Sequence, residues 1–115
     1  MSSVTLFART RCCDTKEVAD FEHNPPLHNW LTRNCNERRG KPGRLRVTVY
    51  HLSELTGLCK TLLDDWDPET VQSRLPGGNP NDENTYISMV NDIVTKLSPV
   101  IQANTPRTKY SVNLT

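Results

Sequence analysis

The chain contains no long run of apolar residues. Its longest uninterrupted stretch is a few residues, far short of the roughly 20 that a membrane-spanning helix needs. The opening MSSVTLFARTRCCD has no apolar core of signal-peptide length, so a cytoplasmic protein with reduced cysteines and no membrane partner is expected. Glycine is sparse, and Gly40, Gly43 and Gly77-Gly78 match neither the phosphate-loop nor the dinucleotide-binding spacing. No C-x-x-C pair occurs among the four cysteines, and no internal repeat or low-complexity segment is visible. No small-molecule site is evident. The hydrophobic fraction is only 35% of 115 residues, which suits one small domain, 1–115, with long polar connections or a partner that completes it.

What the sequence does have is polarised charge. Arg33, Arg38, Arg39, Lys41, Arg44 and Arg46 are six of the fourteen basic residues, and within 33–46 only Glu37 opposes them. Between 64 and 92 the balance reverses: Asp64, Asp65, Asp67, Glu69, Asp82, Glu83 and Asp92 face Arg74 alone. The chain total of +1 conceals both blocks. A basic face aimed at an anion, or head-to-tail self-association, follows from such polarity.

Periodicity places the elements. Ser3–Arg9 alternates, with Val4, Leu6 and Ala8 on one face and Thr5, Phe7 and Arg9 on the other. Val18 and Phe21 suggest a short helix over Thr15–Phe21. Pro25-Pro26 breaks the chain, and Leu27, Trp30 and Leu31 mark one helical turn beyond it. Arg44–Leu52 reads as the best strand, with Leu45, Val47 and Val49 inward and Arg44, Arg46, Thr48 and Tyr50 outward. Ser53 caps a helix over 53–66, Asp67-Pro68-Glu69 opens a short one over 68–75, and Asp82 caps the most regular one over 82–98. Ser98-Pro99 ends that helix or caps one more turn. Lys109–Thr115 alternates as a terminal strand, with a mobile tail over 104–115 as the other reading.

Strands segregate from helices in this order, so an α+β domain is expected: a small antiparallel sheet of about three strands with helices on one face. Residues 10–43 form an irregular basic and Cys/His-containing region, and 53–103 the helical half. The expected core is Leu45, Val47, Val49, Leu55, Leu58, Leu62, Trp66, Tyr86, Val90, Ile93 and Leu97. Open sheet edges make a homo-oligomer by strand addition an expectation.

Three constellations carry chemistry. Arg33, Arg38, Arg39, Lys41, Arg44 and Arg46 offer donors to phosphates, and Trp30 and Tyr50 bracket them with rings that stack on unpaired bases. Cys12, Cys13, His23, His28 and Cys35 fall within 24 residues about the diproline and offer thiolate and imidazole donors for a structural zinc, although adjacent Cys12 and Cys13 fit one tetrahedron poorly. Cys35 with His28 or His51 resembles a thiol nucleophile and its base, but no nucleophile elbow or active-site signature surrounds it. The sequence is therefore read as a non-enzymatic, RNA-binding protein without a cofactor. The alternatives are an assembly or adaptor protein that meets an acidic protein surface, and a zinc-stabilised interaction module. Small size, reduced cysteines and no targeting signal are also shared by many small viral and phage accessory or structural proteins.

Overall fold

The structure, a computed structural model, describes residues 3–10, 15–37 and 43–114. It is an α+β fold in the order β1 (Val4–Arg9), β2 (Thr15–Phe21), α1 (Pro25–Asn34), β3 (Asn36–Glu37), β4 (Arg44–Val47), α2 (Val49–Asp64), α3 (Pro68–Arg74), α4 (Glu83–Gln102) and β5 (Lys109–Leu114). One antiparallel sheet runs β2-β1-β5-β4-β3. Four strands are of full length and β3 adds a two-residue edge, where the sequence suggests about three. Among the described residues no helix is long and apolar enough to cross a membrane.

β2 replaces the expected short helix. Its register against β1 slips between Leu6 and Phe7: Leu6 faces Ala19 and Phe7 faces Glu17, leaving Val18 as the extra residue of a bulge. The inserted residue destroys the two-residue alternation and puts Val18 three positions from Phe21, which imitates a helical turn. Paired instead as a strand, β2 buries Ala19 and Phe21.

The diproline begins a helix rather than interrupting one. Asn24 is the N-cap, its side-chain oxygen accepting from the Leu27 amide at 3.3 Å, and the two prolines occupy the first turn, where a missing N–H costs nothing. The Asn24 amide nitrogen also donates to the Met89 carbonyl at 3.1 Å, tying α1 to α4. This ten-residue helix buries Leu27, Trp30 and Leu31.

β4 stops at Val47, earlier than expected, because Thr48 and not Ser53 caps α2. The Thr48 hydroxyl accepts from the His51 amide at 3.2 Å, and the Thr48 amide donates to His51 Nδ1 at 3.2 Å, closing a reciprocal capping box. The helix starts a turn sooner, so Tyr50 leaves the strand for the first turn of α2. Asp82 caps α4 as expected, accepting from the Thr85 amide and hydroxyl, and the helix continues through Pro99 to Gln102.

The core lies between one sheet face and the helices. Leu45, Val47, Leu55, Leu62, Tyr86, Val90, Ile93 and Leu97 are buried as expected, while Val49, Leu58 and Trp66 pack at its margin. Val4, Leu6, Phe21, Tyr110 and Val112 line the sheet side, and Leu52, Cys59, Val71 and Leu75 the helical side.

One glycine pair is sterically fixed. Gly77 has φ +128°, and a Cβ on Gly78 would stand about 2.5 Å from Tyr86 ring carbons. That ring cannot yield: it is buried, its hydroxyl donates to the Leu75 carbonyl, and Trp66 packs edge-on at 5.4 Å between centroids. Gly78→Ala is therefore expected to cost about 3 kcal/mol, read as a lowered midpoint in urea with an unchanged slope. An unchanged midpoint would mean the α3–α4 connection is free to move.

Candidate nucleic-acid interface

Alternation along three strands builds the sheet face that turns away from the core. β1 presents Thr5, Phe7 and Arg9, β5 presents Lys109, Ser111 and Asn113, and β4 presents Arg44 and Arg46. The register brings these into rows. Arg9 lies opposite Lys109, Phe7 opposite Ser111 and Thr5 opposite Asn113; Arg46 lies across from Ser111 and Arg44 from Asn113. Directly opposed side chains on such strands are about 5 Å apart at Cβ, so four cations share one face with Phe7, whose immediate cross-strand neighbours are Ser111 and Glu17. The Arg44 guanidinium carbon reaches to 5.7 Å from the Phe7 ring centroid, a cation–π contact that holds a planar fork beside an aromatic face.

No ion pair neutralises this charge among the described residues. The one ion pair there is Lys96–Asp92 at 3.4 Å, remote in sequence from these strands. The acidic residues Asp64, Asp65 and Asp67 do not pair with Arg44 or Arg46. Opposed like charges such as Arg9 and Lys109 cost stability. Glu17 and Asp20 lie at the β2 margin of the same face, and the Asp20 carboxylate accepts from the Thr5 hydroxyl at 3.1 Å.

Several sequence-predicted residues lie elsewhere. Trp30 is 5% exposed in the core and so is not available to stack on a base in this conformation. Its spacing with Leu27 and Leu31 is the inward stripe of α1. Tyr50 is 81% exposed, but on α2 and not on the sheet. Arg33 sits in the last turn of α1, where a cation complements the helix dipole, and off the sheet face. Arg38, Arg39 and Lys41 lie outside the described residues. The residues of this candidate surface that sequence reasoning did not name are Phe7, Arg9 and Lys109. The signal was present in the alternation of both strands, which already set them opposite the apolar positions.

For the metal constellation, Cys12 and Cys13 lie outside the described residues. His23 is exposed beyond β2, His28 is half-buried on α1 and Cys35 is buried at the end of α1. Among the described residues no three His, Cys, Asp or Glu side chains converge as a ligand set. Burial, with a smaller contribution from the Glu54 charge, pushes the Cys35 thiol up to about 11, and burial alone pushes Cys59 up to about 12. A thiol so disfavoured as thiolate is a poor ligand and a poor nucleophile. In a Cys12→Ser/Cys13→Ser chain, iodoacetamide at pH 8 is expected to leave both remaining thiols unmodified until denaturant is added. Because both thiols favour the protonated form in the folded state, stability is held below about pH 9 and falls as pH rises from there through 11 and 12. A urea-midpoint series across that range checks the sign.

Comparison of the chain with protein-family models, with curated proteins and with solved structures gave no match in any of the three.

Proposed function

We propose that the open sheet face binds the backbone and an unpaired base of single-stranded RNA, without catalysis. The observation that carries this reading is the register that sets Arg9, Lys109, Arg44 and Arg46 on one face with Phe7, Arg44 against its ring, with no ion pair to neutralise them among the described residues. Guanidinium forks match phosphate oxygens, and a ring with a flanking guanidinium offers a stacking platform that any base can use. The outward hydroxyl and amide groups of Thr5, Ser111 and Asn113 supply hydrogen bonds between the charged rows.

A salt titration tests it. If all four cations meet phosphates, log affinity for single-stranded RNA falls against log salt with a slope of about −3. Duplex RNA, whose bases are already stacked, binds more weakly at the same salt. A slope near zero, or no measurable binding at low salt, removes the reading.

The second reading is an adaptor whose basic sheet face meets an acidic protein surface. The acidic residues at the C-terminal end of α2 and the start of α3 and α4 favour it, because a second copy offers the complementary charge. It requires self-association at micromolar concentration that salt disperses and RNA does not compete with. Sedimentation velocity with and without RNA separates the two.

A further inference from the structure

The opposite margin of the sheet carries a second surface. β2 is an edge strand, so among the described residues one side of its backbone has no strand partner in the sheet. Between it and α4 runs a groove of about 790 Å³. Val18, Phe21, Met89 and Val100 are its apolar lining residues, and Asp20, Glu22 and Asp92 its acidic ones.

Lys96 occupies the edge itself. Its Nζ donates to the Asp20 backbone carbonyl, pairs with Asp92 at 3.4 Å and lies 5.0 Å over the Phe21 ring centroid. A carbonyl on the free side of an edge strand is the acceptor that an added strand's N–H would use. Here an ammonium group from the fold's own helix stands in that donor's place.

We propose that this groove receives an extended, lysine-rich segment of a partner protein, which adds a strand to β2 and displaces Lys96 from the Asp20 carbonyl. Charge selects the occupant. Glu17, Asp20, Glu22 and Asp92 outnumber Lys16 and Lys96 at this margin. They favour cationic side chains and repel an anionic one. They also disfavour β2 of a second copy, which would set the same carboxylates against one another. The bulge at Val18 twists the earlier half of β2 away from regular pairing, which confines strand addition to Ala19–Glu22. Val18, 39% exposed, becomes the apolar contact at the head of the groove.

The test uses the full chain, ¹⁵N-labelled, and two short synthetic peptides, one alternating lysine with valine and one alternating glutamate with valine. The lysine peptide is expected to shift amide signals of Ala19–Glu22 and of the Met89–Val100 face, and the glutamate peptide to shift none. Lys96→Met keeps the apolar stem over Phe21 and frees the Asp20 carbonyl, so it tightens lysine-peptide binding about tenfold. Asp92→Asn, which keeps the fold's shape and leaves Lys96 unneutralised, weakens it about threefold. The proposal is overturned by equal response to both peptides, or by shifts confined to the acidic helix ends at Asp64, Asp67 and Asp82. Shifts of Ala19–Glu22 that track protein concentration without peptide would assign the edge to a second copy and overturn it as well.

Discussion

A chain lacking residues 109–115 is expected not to fold. β5 is the middle strand of the sheet, bonded to β1 along one side through six residue pairs and to β4 along the other through four. Removing it does not trim an edge; it separates the β1–β2 hairpin from β4 and exposes both inner edges. It also withdraws Tyr110 and Val112 from the core. Each buried apolar side chain of this size contributes about 2 kcal/mol, before the ladders on both sides are counted. A domain of this length holds about 5–15 kcal/mol in total, so the loss is comparable with the whole. The shortened chain should give a collapsed amide proton spectrum and no cooperative thermal transition. The milder Val112→Ala, which leaves the ladders intact, is expected to cost about 2 kcal/mol and to keep the dispersed spectrum. A dispersed spectrum from the shortened chain would show that β5 is dispensable and that the sheet order is wrong.

Arg44→Ala combined with Arg46→Ala is expected to reduce affinity for single-stranded RNA about a hundredfold at low salt. The two side chains share one strand face, so under the proposed reading they would address one stretch of phosphate backbone. Removing one guanidinium from a phosphate should make the slope of log affinity against log salt shallower by about 0.7, and removing the pair by about 1.4. Arg46 is exposed and outside the core, and Arg44 is half-buried against Phe7, so the fold tolerates both changes. Phe7→Ala separates stacking from charge. It should lower affinity about tenfold with little change in slope, because a ring contributes to base contact and not to counterion release. Arg33→Ala, on α1, should alter neither quantity by more than a small factor. Affinity within twofold of the parent for the double variant would remove RNA from this face.

Legibility in the sequence followed the physics of each element. α4 is plain because one uninterrupted stripe, Tyr86 to Leu97, packs inward over several turns with an aspartate cap before it. β1 and β5 are plain because each alternates without a break. β2 was obscured by its bulge, a tertiary accommodation that cancels the two-residue period in the middle of the strand. α1 was obscured by Pro25-Pro26, which break a helix in its interior and start one at its N-terminus; only the Asn24 cap distinguishes the cases. The boundary between β4 and α2 turned on whether Thr48 or Ser53 caps, and a histidine completing the capping box is an unusual signal. That one boundary removed Tyr50 from the sheet. Trp30 fell to the same ambiguity as α1, since a tryptophan on an unrecognised helix reads as a loop aromatic. Of the candidate surface, Arg44 and Arg46 were legible from β4 alone. Phe7, Arg9 and Lys109 were legible as outward positions of β1 and β5, but that they share a face with Arg44 and Arg46 required knowing that β1, β5 and β4 are neighbours, which local pattern does not state.

The position of β5 also governs when the protein acquires its shape. Val4 is paired with Leu114, so during synthesis β1 has one lateral partner missing until nearly all of the described chain has followed it. The β1–β2 hairpin and the helices can form during synthesis, but the sheet cannot close by vectorial addition. Closure brings together segments 100 or more residues apart, from Arg9 with Lys109 to Val4 with Leu114, the kind of pairing that slows folding most. Meanwhile the nascent hairpin carries an exposed inner edge beside β1 and the apolar faces of Leu6 and Phe21. That interval is the one in which a chaperone, or an unintended strand from a neighbouring nascent chain, has access to the sheet.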